Sequence, residues 1–299
     1  MKEKVLITGG SGLLAVNWAI SINNNYDVTS LLHHRKISLL GVNTAFESID
    51  SLDKCFYVLD KYRPDIVIHT AGLTNIEECE SDPNLAYELN VNLAKNLAIA
   101  CNQLSVKLIN ISTDHLFLGA QKFSTEDSIT KAANTYAKTK LLGESEVLKY
   151  SKNAMIIRTN FFGWGPKYRQ SFSDIILKKL RNNEKIGLFS DVFFNPILID
   201  ELAKRTHQLI DLNASGIFNI VSSERISKFE FGIKLANCFN LNSDLINEIK
   251  LKDIPNLVKR PKEMSLSNKK ICRRIGFKMP SIDEQFQVLK KQESDCTIS

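Results

Sequence analysis

From its N-terminus the chain alternates short, almost wholly apolar runs with longer stretches in which apolar positions recur every three or four residues. Runs of the first kind read as strands buried on both faces of a parallel sheet, and stretches of the second kind as helices covering it. The pattern predicts strands at Lys4–Thr8, Tyr26–Leu32, about Asn43–Ser48, Asp65–His69, Val106–Ser112 and Ala154–Arg158. Helices are predicted from about Gly12 to Ile22, Leu52 to Tyr62, Asp82-Pro83 to about Leu104, and Thr135 to Tyr150. Pro64 stops the second of these, and Asp82-Pro83 has the cap and first-turn chemistry of a helix start. The class is α/β, a doubly wound parallel sheet. After Arg158 the rhythm changes. Asn160–Pro166 is loop-like, with Phe161, Phe162 and Trp164 among two glycines, and short elements then follow in mixed order to Pro280. This predicts a ligand-binding sheet domain over 1–160 with a return to it near 191–221. A smaller mixed α/β part is expected over 161–291 and a disordered tail over 292–299.

Composition narrows the classes. With 43% hydrophobic and 24% charged residues, the 299-residue chain is an ordinary globular one. Its six cysteines are scattered, with no C-x-x-C pair, so reduced thiols are expected and neither a disulfide frame nor a metal site. The uncharged run Val5–Tyr26 follows two lysines as a signal peptide would, but Thr8-Gly-Gly-Ser-Gly12 interrupts it directly after Val5-Leu-Ile7. Asn17, Ser21 and three consecutive asparagines disfavour a membrane span, so a cytoplasmic protein without a membrane partner is expected. The net charge of +6 is concentrated between Ile246 and Pro280, where ten Lys/Arg face three acids. No stacking aromatics interleave these cations apart from Phe277, so no nucleic-acid partner is expected. They read either as a solvated face or as a few contacts to a phosphorylated substrate.

Chemistry first appears at Gly9-Gly-Ser-Gly-Leu-Leu-Ala15, between the first strand and the first helix. Gly9 permits the tight turn, Gly12 lets a pyrophosphate approach bare backbone, and small Ala15 lets helix and strand pack closely. The free N–H groups of the helix start then meet the anion. Its place between strand and helix reads as a dinucleotide-binding loop; the spacing is Gly-x-x-Gly-x-x-small, not Gly-x-Gly-x-x-Gly, and no Gly-Lys-Ser/Thr marks a P-loop. The second strand ends not in an acid for a ribose diol but in His33-His34-Arg35-Lys36. These cations suit the extra 2′-phosphate of NADPH, with NADH the lesser alternative.

A phenol and an ammonium spaced Tyr-x-x-x-Lys share one helix face. Tyrosine can protonate a carbonyl oxygen while a nicotinamide delivers hydride to the carbon, and nearby positive charge is expected to lower the tyrosine pKa. Among seven tyrosines two pairs fit: Tyr57 with Lys61, and Tyr136 with Lys140. Tyr57 lies in an early helix without partner groups and reads as surface or packing. Tyr136 follows a strand ending Ile111-Ser-Thr-Asp114, and Thr113 emerges at the sheet edge where open α/β folds bind ligands.

These residues carry a resemblance to the extended short-chain dehydrogenase/reductase family, nearest to its dTDP-4-dehydrorhamnose reductase group. The matching segments are Ile7-Thr-Gly-Gly-Ser-Gly-Leu-Leu14, Arg63–Gly72, Cys79–Pro83, Leu89-Asn-Val91, Ile111–Asp114, Tyr136–Lys140 with Gly143-Glu144, and Ile157–Asn160. Weaker echoes are Asn195-Pro196 and Arg260-Pro261. The resemblance implies reduction of the 4-keto group of a nucleotide-diphosphate 6-deoxyhexulose by a cytoplasmic homodimer. It implies Thr113, Tyr136 and Lys140 as the catalytic set, with Asn90 bracing the active-site backbone. Gly9, Ser11, Gly12, Leu13, Leu14, His34, Arg35, Ala71, Gly72, Tyr136 and Lys140 would hold the cofactor. Thr74, His115, Asn160 and Arg260 would meet the substrate. His115 and Leu118 stand where the group carries a tyrosine and an aspartate, and Ser48 where it carries an aspartate near the adenine. Two alternatives accompany this reading: a nucleotide-sugar epimerase or dehydratase of the same superfamily, and a non-catalytic NADP-binding subunit like that of methionine adenosyltransferase. His69 is expected to be structural. Phe161-Phe-Gly-Trp164 reads either as a stacking loop for a base or sugar or as core.

Overall fold

The computed structural model describes residues 2–119 and 121–294. The first half runs β1 (Lys4–Thr8), α1 (Leu13–Ile22), β2 (Asp27–Leu32), β3 (Asn43–Phe46), α2 (Leu52–Tyr62), β4 (Ile66–His69), α3 (Ile76–Ser81), α4 (Pro83–Tyr87), α5 (Leu93–Gln103), β5 (Lys107–Ile111), α6 (Thr135–Tyr150) and β6 (Met155–Arg158). The second half opens with β7 (Phe161–Phe162), α7 (Phe172–Arg181), β8 (Ile186–Phe189), β9 (Phe193–Phe194), β10 (Ile197–Leu198) and α8 (Ile199–Asp211). It closes with β11 (Gly216–Asn219), β12 (Ile226–Ser227), α9 (Lys228–Cys238), β13 (Ile246–Ile249), α10 (Lys269–Ile275) and α11 (Ile282–Ser294).

Seven strands form one parallel sheet in the order β11-β6-β5-β4-β1-β2-β3. Alternate residues of the apolar runs feed opposite faces. Val5, Ile7, Ile66, Ile68, Ile109 and Ile157 pack with Leu14 and Trp18 of α1 and Leu202 of α8. Leu6, Val67, Leu108 and Ile156 pack with Val58 of α2, Leu97 of α5 and Val147 of α6. Burial on both faces explains why these strands read as continuous apolar runs.

The helix expected from Asp82 to Leu104 is divided. Asp82 caps α4, a π-helical turn spans Glu88–Asn92, and only then does α5 begin. The wider turn is a local insertion of the kind that accompanies functional sites, and the buried Asn90 lies within it. A further helix, α3, precedes it; the Asn75 side chain accepts from the amides of Glu77 and Glu78.

The second half makes three two-stranded pairs, β10 with β7, β12 with β9 and β13 with β8, over a cluster centred on Phe162, Phe231 and Phe286. It also returns to the first core. β11 is the outer strand of the large sheet beside β6, and Ile271 and Met279 join the Val5–Trp18 cluster. The last helix runs through Ser294, so residues 292–294 of the expected disordered tail are helical. Gln292 donates to Asp200 at 2.7 Å and Glu293 pairs with Arg181, which anchors that turn; 295–299 lie outside the described residues.

Several cations of the basic stretch are engaged locally. Lys262 pairs with Asp191 at 2.7 Å, while Lys270 and Arg274 donate to the carbonyls of Ile217 and Leu212. Among the described residues, no helix is long and apolar enough to cross a membrane, and no cluster of His, Cys, Asp and Glu could hold a metal.

Candidate active site

A cleft of about 990 Å³ lies along the C-terminal edge of the sheet, where open parallel sheets bind ligands. One bank is the β1–α1 turn. Gly9 has φ +67°, and a Cβ there would stand 3.0 Å from the main chain of Ala71, so the turn admits only glycine. α1 starts at Gly12 with no side-chain cap and no acid in its first turn. Its leading N–H groups are therefore left for an anion. Gly9, Ser11, Gly12, Leu13, Leu14, His34, Arg35, Ala71 and Gly72 all line this cleft. So do Glu47, Ile49 and Asp50 around Ser48, which the sequence had not singled out. Glu47 and Asp50 are tied to Lys61 at 2.6 Å and Lys54 at 2.8 Å, so neither is a bare charge facing an incoming phosphate.

Asn134 caps α6, accepting from the Ala137 amide at 2.9 Å and donating to the Lys259 carbonyl at 2.8 Å. That fixes the first turn, which carries Tyr136, with Lys140 one turn on. Lys140 Nζ donates to the Ile111 carbonyl at the end of β5, 2.7 Å away, and burial draws its pKa down to about 8. Tyr136 hydrogen-bonds Thr113. Burial dominates the phenol and raises its pKa, opposed by that bond and reinforced by Asp114. This corrects the expected lowering: the side chain is nearly enclosed, so the neutral phenol is favoured and the proton is present to be given. Asn90 brackets the Leu73 main chain, accepting from its N–H at 2.9 Å and donating to its carbonyl at 3.0 Å, and also donates to Thr139. Gly143 of α6 lies against this turn; a Cβ there would meet the Asn90 carbonyl oxygen at 2.3 Å.

The side of the cleft beyond Tyr136 is polar and enclosed. Asp114, absent from the expected set although its motif was read, is pushed up to about 6 by burial and held by Asn160 Nδ2 at 2.9 Å. His115 sets its ring edge-on to Tyr136, with centroids 5.7 Å apart, and its Nδ1 has no partner among the described residues. Burial, then Lys228 and Arg260, pull its pKa to about 3, so it is a neutral hydrogen-bonding group and not a second acid. Thr74, His115 and Asn160 line the cleft; Arg260 does not. Its guanidinium is ion-paired with Glu77 and its Nε donates to the Val258 carbonyl.

Other candidates separate cleanly. The Tyr57–Lys61 pair does form, at 3.3 Å, but on an exposed surface with the lysine held by Glu47. His69 shares a 2.8 Å bond with Thr8 and is kept neutral by burial, which pulls its pKa to about 3. Of the aromatic loop, Phe162 is core and Trp164 Nε1 donates to the Leu289 carbonyl; only Phe161 reaches the cleft. Tyr168 and Arg169 also line it, on a loop with no periodicity to announce them.

A seven-stranded parallel sheet, a glycine turn opening an uncapped helix and a Thr-Tyr-Lys cluster at the strand ends define an extended short-chain dehydrogenase/reductase. The family model described as the RmlD substrate binding domain matches residues 3–293, and the chain belongs to that family. It is 24% identical over 294 residues to the probable low-salt glycan biosynthesis reductase of Haloferax volcanii, covering 97% of this chain and 98% of that protein. It is 28% identical over 279 residues to methionine adenosyltransferase 2 subunit beta of Rattus norvegicus, covering 90% and 81%. The crystal structure of dTDP-4-dehydrorhamnose reductase from Bacillus anthracis in complex with NADP superposes with a TM-score of 0.86 at 26% identity, covering 98% of this chain and all of that one.

Proposed function

We propose that the chain is an NADPH-dependent reductase of the 4-keto group of a nucleotide-diphosphate 6-deoxyhexulose. The carrying observation is the meeting of Thr113, Tyr136 and Lys140 at the strand ends beside a cleft that leaves helix N–H groups and Arg35 for a phosphorylated dinucleotide. A reduced nicotinamide, when bound, supplies hydride to the carbonyl carbon. Thr113 then orients the carbonyl oxygen by a hydrogen bond, and Tyr136, neutral because it is buried, gives that oxygen its phenolic proton as negative charge develops there. Charged Lys140 beside the helix face steadies the resulting phenolate and offers its remaining N–H groups to a ribose hydroxyl. His115 Nδ1, Asn160 and Thr74 supply polar contacts for the sugar. NADPH is preferred over NADH because the second strand runs into His34 and Arg35 without an acid. Domains at 1–160 and 161–291, a homodimer and a cytoplasmic setting complete the proposal on the family's pattern.

Tyr136→Phe tests it. With a nucleotide 4-keto-6-deoxysugar and NADPH, the wild type is expected to oxidise one cofactor per product, and the variant to lose about 10²-fold or more in rate while still binding NADPH. Turnover without net NADPH loss would place the protein with the epimerases. Unchanged activity in the variant would remove Tyr136 from the mechanism. The match to a methionine adenosyltransferase subunit keeps a non-catalytic role in view, and that role predicts NADPH binding with no turnover of any such sugar.

A further inference from the structure

The loop from Gly163 to Ser171 crosses the mouth of the dinucleotide cleft, and it is built, not slack. Asn17 donates to the Trp164 carbonyl at 2.8 Å, and the amides of Gly165 and Ser171 both donate to Asp174 Oδ2, at 2.8 and 2.7 Å. The Arg169 amide closes a turn on the Pro166 carbonyl at 2.8 Å. From this frame two side chains reach opposite banks. The Tyr168 hydroxyl donates to the Ser11 carbonyl in the glycine turn at 2.9 Å. Arg169 Nη2 donates to Thr74 Oγ1, beyond β4, at 3.2 Å. The Arg35 guanidinium carbon stands 4.2 Å from the centroid of the Tyr168 ring.

We propose that Tyr168 and Arg169 form a strap over the bound dinucleotide, Arg169 binding its diphosphate bridge and the Tyr168 ring holding Arg35 in place for the 2′-phosphate. The inference rests on the dinucleotide reading above. Neither Arg35 nor Arg169 forms an ion pair with a carboxylate among the described residues, although both line the cleft. A guanidinium has five N–H donors in a planar fork, and a hydroxyl engages only one of Arg169's. The rest suit phosphate oxygens, which the uncapped start of α1 meets from the other bank. Stacking on Tyr168 restricts the long Arg35 side chain before any ligand arrives, so less freedom is lost on binding. Because the strap is bonded to both banks, a dinucleotide beneath it leaves only when those bonds open.

The separation of roles gives a pattern that a merely structural loop would not. Fluorescence titration and stopped-flow displacement of NADPH and NADH are measured on the wild type, Arg169→Ala, Tyr168→Phe and Arg35→Ala. The diphosphate is common to both cofactors, so Arg169→Ala is expected to weaken both by the same factor, on the order of 10–100-fold. Arg35→Ala weakens NADPH alone. Tyr168→Phe keeps the plate and loses the Ser11 bond, so both cofactors leave several-fold faster while the NADPH/NADH preference is kept. Thermal midpoints close to wild type confirm that each exposed substitution leaves the fold intact. If Arg169→Ala binds and releases both cofactors as the wild type does, or weakens only one, the diphosphate assignment is overturned. If the wild type binds neither dinucleotide, it is the cofactor reading itself that fails.

Discussion

Lys140 carries two duties with different tolerances for its charge. It must be an ammonium to steady a phenolate, yet its burial against the Ile111 carbonyl has drawn its pKa down to about 8. The folded value lies below that of an exposed lysine, so on raising the pH the folded chain loses this proton before the unfolded chain does. NADPH affinity is therefore expected to fall as pH rises through about 8. Over the same range the unfolded chain binds the extra proton, so this group adds to folding stability as pH rises, and the weaker binding is not unfolding. Titrations between about pH 7 and about pH 9, alongside thermal melts, read both trends. An affinity that stays flat across that range would mean that the charge of Lys140 is not used in binding. The catalytic residues were legible because they sit on regular elements: Thr113 just past a strand, Tyr136 and Lys140 one helical turn apart. Tyr57 and Lys61 share the spacing, and only the location of the helix told them apart. Tyr168 and Arg169 gave no such signal, since a loop side chain shows its direction only once both banks of the cleft exist. The rise in the Tyr136 pKa was missed for the same reason, because enclosure is a property of several segments together.

At the level of elements, α6 is held by more than its apolar face. Glu144 and Arg158 form a buried pair between α6 and β6, with Arg158 Nε 3.0 Å and Nη2 2.7 Å from the carboxylate and both side chains 3% exposed. Glu144→Gln leaves a buried guanidinium uncompensated and is expected to cost about 3–5 kcal/mol of stability. Urea denaturation measures it, and a loss under about 1 kcal/mol would show that solvent or the Glu126 carbonyl replaces the partner. The ends of α6 agree with those read from the sequence, and its start is specified locally by the Asn134 cap. The π-helical turn does not announce itself: Glu88–Asn92 continues the helical pattern, and only the return of Asn90 to the Leu73 main chain shows why the turn is widened. α3 is six residues long, too short for a period to be seen, and its one local sign was the capping chemistry of Asn75.

For the molecule as a whole, the sheet half and the later half share one core. α8, Ile271 and Met279 cover the β1–β6 face, so neither half buries its apolar surface alone. Unfolding is expected to be one cooperative event. The two tryptophans report the halves separately: Trp18 lies in the sheet core, and Trp164 is tied to Leu289 beside the aromatic cluster. In Trp18→Phe and Trp164→Phe, the emission of the remaining indole and the far-ultraviolet dichroism should follow one denaturation curve; two separated curves would mean independent halves. The first half was readable because its strands pair through local β-α-β repeats. The second resisted because several of its strands are two residues long and their partners lie far along the chain, as with β9 and β12. The position of β11 has a further consequence during synthesis. The ribosome must deliver residue 219 before the outer edge of β6 is covered. Until then, Met155–Arg158 presents free backbone donors and acceptors to any neighbouring nascent chain. That open edge of β6 thus exists only while the chain is being made.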